Sequence, residues 1–259
     1  MADSQPVALV TGAANGIGRA ITEHLLHDGW FVAAFDIDAA ALRGLPSGPN
    51  LATGHLDVAD ESQWDEALAG LSRLDLLVNN AGVLHSGPFT ETPGYRHRAI
   101  VEVNVLGVIH GALAAFPLLA RTPGSVMVNL ASASAMYGQP DLATYSATKF
   151  AIRGLTEALD LEWAEHDIRV FDLWPLFVQT GMVDGMQATS GDRLGIHLTA
   201  DDVATTLLKA VRQVRSKPAA TRIRNPHIPV GRRARALATL AQVAPHWANR
   251  LMTKVVTGR

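Results

Sequence analysis

A short apolar run, Pro6 to Thr11, breaks at Gly12 and restarts after Gly16 and Gly18 as an amphipathic helix through Ile21, Leu25 and Leu26. Strand, tight glycine turn and helix within so few residues leave the chain little choice but to enter a sheet and fold straight back across it. The turn, Gly12-Ala13-Ala14-Asn15-Gly16-Ile17-Gly18, also has a chemical meaning. Glycines permit positive φ and close backbone approach, and the N-terminus of the next helix is partially positive, so the N–H groups there suit a pyrophosphate. An ordinary strand-to-helix turn can have the same spacing, so the turn alone constrains the fold more than the ligand.

The second apolar run, Trp30 to Phe35, ends at Asp36, 24 residues beyond Gly12. An acid there stands where a dinucleotide's ribose 2′-hydroxyl would be bound. Its charge would repel a 2′-phosphate, and Ile37-Asp38-Ala39 brings no Arg or Lys to offset it, so the expected cofactor is NAD(H) in preference to NADP(H). The competing use of Asp36 is to cap a helical run beginning at Asp38.

Strand-length apolar runs recur at 51–56, 74–78, 125–130 and 168–173, alternating with helical patterns at 64–71, 100–119, 143–165 and 201–214. Continuous rather than alternating apolar strands imply a parallel sheet covered on both faces. The expected fold class is α/β, a doubly wound parallel sheet with helices on both faces. Residues 1–230 would form one catalytic domain, and 231–259 a basic amphipathic helical extension. Ligands in such sheets sit beyond the carboxyl ends of the strands. Asp57, Asn79, Asn80, Ser132 and Pro175 follow successive strands at that edge.

With 48% hydrophobic and 18% charged residues in 259, the chain can bury a sizeable core. It has no cysteine, which excludes disulfides and thiolate metal sites, and no metal is expected. The first residues lack a signal-peptide pattern, and no uninterrupted apolar run approaches the ~18 residues of a spanning helix, so a soluble, cytoplasmic protein is expected. The net charge of −2 conceals an asymmetry. From Lys217 onward there are nine Lys and Arg and no acid, against 13 basic and 24 acidic residues before it. Without aromatic or groove-reading elements beside that charge, no nucleic-acid role is expected.

Tyr145-Ser146-Ala147-Thr148-Lys149 opens the helical pattern at 143–165. Residues i and i+4 share a helix face, so the Tyr145 hydroxyl and Lys149 ammonium can enter one pocket. Tyrosine has an ordinary pKa of about 10, and a nearby ammonium and a bound positively charged ring both favour its phenolate. The pair is a usable acid/base couple.

Together these residues resemble the short-chain dehydrogenase/reductase family, in its common single-domain Rossmann-fold subtype. Thr11 to Gly18 is similar to the family's cofactor turn, Asn79-Asn80-Ala81-Gly82 to its motif after the fourth strand, and Tyr145 with Lys149 to its YxxxK signature. Ser132 lies thirteen residues before Tyr145, the family's usual separation of catalytic serine and tyrosine, and Asn104 matches its catalytic asparagine. The resemblance runs from about Val7 to Thr180. It implies hydride exchange between a nicotinamide and a secondary alcohol or ketone, with Tyr145 as acid/base and Ser132 holding the substrate oxygen. Lys149 would lower the tyrosine pKa and bind the nicotinamide ribose, and Asn104 would orient a water that links Lys149 to solvent. It also implies adenine contacts at Asp57 and Val58, cofactor contacts at Pro175, Val178 and Thr180, with the Val178 backbone on the carboxamide, and a homodimer or homotetramer packed partly through the Tyr145 helix. The chain departs from the family pattern at Leu176, where glycine often follows the proline. Ser134 is a second hydroxyl near Ser132.

Substrate specificity is expected in Val83 to Phe89, in Ser134 to Tyr137, and in a lid at about 176–198 that brings Leu176, Phe177, Met182 and Met186. With no cluster of Arg or Lys in these loops, an uncharged apolar, aromatic or bulky alcohol or ketone is expected; a steroid or retinoid, or a non-catalytic dinucleotide-binding scaffold, are the alternatives. The C-terminal pair of basic amphipathic helices is expected to pack on a subunit or close the cleft rather than lie on a membrane surface.

Overall fold

The computed structural model describes residues 5–181, 198–216, 225–243, 250, 253 and 254. Its centre is a parallel sheet of β1 (Val7–Thr11), β2 (Phe31–Asp36), β3 (Leu51–His55), β4 (Leu76–Asn79), β5 (Val126–Leu130), β6 (Arg169–Trp174) and β7 (His227–Pro229), in the order 3-2-1-4-5-6-7. The reversal of direction between β1 and β4 is the doubly wound topology, and it opens a crevice at the carboxyl edge. Strands β1, β4 and β5 are buried along their length, whereas β3 is an edge strand with Ala52, Thr53 and His55 exposed.

Helices α1 (Gly16–His27) and α6 (Ala200–Arg215) cover one face, with Ile21, Leu25, Val203 and Leu207 packed on Val10, Val78 and Val128. Helices α2 (Glu61–Ala69), α4 (Gly107–Ala120) and α5 (Ala143–Glu162) cover the other, where Trp64, Ala115 and Leu119 meet Leu9, Leu77 and Met127. Local chemistry sets the helix starts. Asp60 accepts the Ser62 N–H ahead of α2, and Thr199 with Asp202 forms a capping box at α6.

Helix α3 (Gly94–Val101) continues into α4 through a π turn, Glu102–Leu106. The run from Gly94 to Ala120 is long and apolar enough to cross a bilayer by composition, but Ala112, Ala115, Leu118 and Leu119 spend that apolarity on the core. Two elements differ from expectation. Only a short 3-10 turn, Ala41–Gly44, follows β2, with the Asp38 carboxylate accepting the Ala41 N–H. Strand β7 was not expected at all: three residues ending in proline carry no periodic signal. Helix α7 (Gly231–Val243) then returns over the α5 side, burying Ala234 and Ala238.

Candidate active site

The carboxyl ends of the central strands and the loops after them enclose a cavity of about 740 Å³. Its floor at β1 depends on absent side chains. Gly12 has φ +62°, and a Cβ there would stand 2.9 Å from the Ala81 Cα. A Cβ on Gly18 would stand 2.0 Å from the Gly12 carbonyl oxygen, so Gly18 serves the close packing of α1 on the turn and does not line the cavity. Gly12, Asn15, Gly16 and Ile17 do. The turn is tied to β4: Asn80 Nδ2 donates to the carbonyls of Thr11 and Gly12 at 2.8 and 3.0 Å, and Thr11 Oγ1 accepts the N–H groups of Asn80 and Ala81.

Asn79 is a correction. Successive strand residues face opposite ways, and Asn79, buried, donates to Asn129 Oδ1 at 2.9 Å inside the fold while Asn80, Ala81 and Gly82 line the cavity. Asn129 in turn donates to Thr156 of α5 at 3.0 Å. Asn79 thus ties strands β4 and β5 to α5 and is not placed to touch a cofactor.

At the outer end of the cavity, Asp36 Oδ2 accepts the Ala14 N–H at 2.9 Å and Oδ1 the Asp38 N–H at 3.0 Å, which fixes the carboxylate at the lip. It caps no helix. Asp57 and Val58 line the same end, with the Val58 carbonyl held by the Trp64 indole and the His110 ring.

At the other end, Ser132, Tyr145 and Lys149 converge. Ser132 ends the β5 loop as the cap of a 3-10 turn, Ala133–Ala135, accepting the Ser134 N–H. Its hydroxyl stands near enough to Tyr145 to favour the phenolate and lies 3.2 Å from Ser134 Oγ, which also accepts from Gln139 Nε2 at 3.0 Å. Lys149 Nζ lies 5.4 Å from the Tyr145 ring centroid and donates to the Leu130 carbonyl at 2.7 Å. One bond uses one of the three ammonium donors, and two remain on a group that lines the cavity.

Burial pushes the Tyr145 phenol up to about 12, against which the Ser132 hydroxyl pulls. Burial pulls Lys149 down to about 8, opposed by the charge of Asp172. At neutral pH Tyr145 is therefore a protonated phenol, a donor as it stands. Desolvation outweighs one ammonium, so a further positive charge in the cavity is needed to bring the phenolate within reach.

Asn104 sits in the π turn, buried, with Oδ1 accepting the Val83 N–H and Nδ2 donating to the Val83 carbonyl at 2.8 Å each, and to Thr148 at 3.3 Å. Its side chain therefore pins the loop after β4 onto α5 beside Lys149 and does not itself line the cavity. Pro175, Leu176, Phe177, Val178 and Thr180 do, and Val178 is bridged to Leu198. Met182 and Met186, with most of the expected lid, lie outside the described residues. Tyr137 is another correction: it is buried outside the cavity, because the loop after the 3-10 turn folds its ring inward. Gln139 and Leu142, both in the lining, were not foreseen, whereas Leu84 belongs to the loop Val83 to Phe89 expected to carry specificity. Isolated loop residues carry no spacing signal.

The family model for short chain dehydrogenase matches residues 6–191. The L-2,3-butanediol dehydrogenase of Corynebacterium glutamicum is 38% identical over 196 residues, covering 70% of this chain and 75% of that relative. A 3-alpha-(or 20-beta)-hydroxysteroid dehydrogenase of Mycobacterium tuberculosis is 33% identical over 186 residues, covering 69% and 71%. Among solved structures, the 3-ketoacyl-(acyl-carrier-protein) reductase from Brucella melitensis complexed with NADH matches with a TM-score of 0.78 at 28% identity, covering 87% of this chain and 96% of that one. Agreement in both sequence and fold over most of the chain leaves one assignment: this protein belongs to the short-chain dehydrogenases, and is an oxidoreductase acting on CH–OH groups.

Proposed function

We propose that the protein is an NAD(H)-dependent dehydrogenase or ketone reductase for an uncharged secondary alcohol or ketone with an apolar, aromatic or bulky body. The observation that carries this is the convergence of Ser132, Tyr145 and the part-satisfied Lys149 ammonium on one cavity whose far end is the Gly12 turn. A dinucleotide fits that cavity because the glycines leave room at the turn and Asp36 stands at the ribose end. Gly12, Asn15, Gly16 and Ile17 would face the pyrophosphate, Asp57 and Val58 the adenine, Lys149 the second ribose, and Val178 and Thr180 the carboxamide. Bound there, a nicotinamide supplies the hydride chemistry.

The chain's own residues manage the proton. Ser132 fixes the substrate oxygen beside Tyr145, whose phenol donates to it in reduction and whose phenolate accepts from it in oxidation. Lys149 biases Tyr145 toward the phenolate. On the substrate side Leu84, Leu142, Leu176 and Phe177 offer apolar walls, and Gln139 and Ser134 polar points. Those walls also suit a steroid, and a hydroxysteroid dehydrogenase stands among the relatives.

Tyr145→Phe removes the acid/base without changing shape. Turnover should fall by about 10²- to 10⁴-fold while NADH binding, followed by fluorescence titration, stays within about twofold. Near-normal turnover in this variant would sink the mechanism. In the wild type, NADH should support higher kcat/KM than NADPH across a panel of apolar, aromatic and steroidal ketones. A clear NADPH preference would remove Asp36 from the ribose position.

A further inference from the structure

The α5 face that carries Lys149 also carries a second polar cluster that the reaction proposed above does not use. Asp172 on β6 and His227 on β7 are in register, and Asn129 of β5 is in register with Asp172 on its other side. Asp172 shares a strand face with Val170 and Trp174, the face that α5 and α7 cover. Its carboxylate is fully buried. Oδ1 meets His227 Nδ1 at 2.9 Å, and His227 Nε2 meets Glu157 Oε1 at 2.7 Å. A carboxylate at each ring nitrogen makes both nitrogens donors, which is the imidazolium form. The Trp174 ring stacks on His227 with centroids 4.7 Å apart, and Arg153 covers the other part of that indole.

Asp172 Oδ2 has no hydrogen-bond partner of ordinary geometry, although the indole N–H of Trp174, likewise without one, stands near enough to steady the carboxylate. A buried carboxylate with one oxygen so weakly held is a costly way to join β7 to β6, where a neutral amide would accept the same His227 bond. The charge calls for another use. Along α5, Lys149, Arg153 and Glu157 follow one another at intervals of one helix turn. Lys149 Nζ donates to the Leu130 carbonyl, and Leu130 pairs with Leu173, one step along the strands from the Asn129–Asp172 pair. The buried ammonium therefore sits at the β5–β6 seam, at the strand pair one residue along from the one that holds the buried carboxylate.

We propose that Asp172 is the counter-ion that keeps Lys149 charged beside Tyr145, and that His227, clamped to Glu157, is a positioning residue that keeps Asp172 ionised and in place. The proposal rests on Tyr145 and Lys149 being the proton-handling pair. The other charges packed here are already engaged: Arg153 pairs with Glu157 at 3.1 Å and Arg169 with Asp160 at 3.0 Å, while Arg232, Arg233 and Arg235 of α7 are exposed. His227 shares its positive charge with Glu157, which leaves Asp172 to act on Lys149. The direction of the Lys149 shift agrees, since Asp172 is what opposes burial there.

Competitive trace acetylation with acetic anhydride, read by peptide mass spectrometry across pH, gives the titration midpoint of Lys149 without any substrate. In Asp172→Asn that midpoint should fall by about one pH unit or more, which is about tenfold in the free-amine fraction near neutrality. Asp172→Ser, run in parallel, should do the same, so that a folding defect in one variant does not end the test. Asp172→Glu keeps the charge and should hold the midpoint within about half a unit. A midpoint that stays put in folded Asn and Ser variants overturns the proposal, as does an equal fall in the Glu variant, which would make packing the cause. With a substrate in hand, the acid limb of kcat/KM for alcohol oxidation should move to higher pH in Asp172→Asn, because a less charged Lys149 leaves the Tyr145 phenol harder to ionise. A fallen midpoint in a protein that oxidises no alcohol would support the counter-ion and remove the proposed reaction instead.

Discussion

At Ser132 and Ser134, two hydroxyls 3.2 Å apart divide their labour by what each is already bonded to. Ser132 reaches Tyr145, whereas Ser134 is buried and held by Gln139. Ser132→Ala should therefore lower kcat/KM by about 10²-fold or more, in the range of a lost transition-state hydrogen bond. Ser134→Ala should cost less than about tenfold, mostly through the looser Ser132 rotamer. Steady-state kinetics on both variants decides, and an equal loss in the two would mean that the spacing to Tyr145 misassigns the serine. That spacing was readable through the resemblance to the family, whose usual serine–tyrosine separation it matches. The division between Asn79 and Asn80 was readable in part: strand alternation says that neighbours face opposite ways, but not which one faces the cavity until the partner, Asn129, is in place. Gln139 and the inward turn of Tyr137 depend on tertiary contacts that leave no trace in local spacing.

At the scale of elements, the strand and helix pattern fixed most boundaries to within a few residues, because each central strand is continuously apolar and each helix has one apolar stripe. Strand β7 escaped because its place is set by His227 and its carboxylate partners, not by apolar periodicity. That origin gives β7 a pH signature. Burial pulls the His227 imidazole down, but Asp172 and Glu157 outweigh it and hold the group above its ordinary value. A raised histidine contributes stability that is fully present below its unfolded value of about 6.5 and is lost as pH rises through the folded value. His227→Gln should thus lower Tm more at pH 6 than at pH 9. Asp172, raised chiefly by burial, acts with the same sign in a lower window, its contribution being lost as pH rises from about 4 through its raised folded value, so the informative quantity is the difference between variant and wild type at each pH. Equal differences at both pH values would show that His227 is neutral in the folded chain.

The molecule as a whole leaves apolar side chains on the outer surfaces of its central helices: Leu113 of α4, Phe150 and Leu161 of α5, with Leu161 79% exposed. Exposed apolar side chains on these helices would suit the homodimer or homotetramer expected to pack partly through the Tyr145 helix. Leu113→Glu combined with Phe150→Glu should reduce the mass measured by light scattering after size exclusion to that of one chain, about 27.6 kDa. A wild type already of that mass would end the expectation. The sheet order has a further effect, on the path by which the chain reaches this state. Strand β1 pairs with β2 on one side but with β4 on the other, across a sequence interval that includes β3 and α2. The centre of the sheet is thus closed by a long-range contact, and loop-closure entropy must be met before that pairing is rewarded. The glycine turn that closes the nucleotide end of the crevice takes its final shape only when Asn80 arrives from β4 to hold it. During synthesis the earliest strand therefore waits, one edge open, for the fourth, and cofactor affinity should appear late in refolding, together with the joining of the two halves of the sheet.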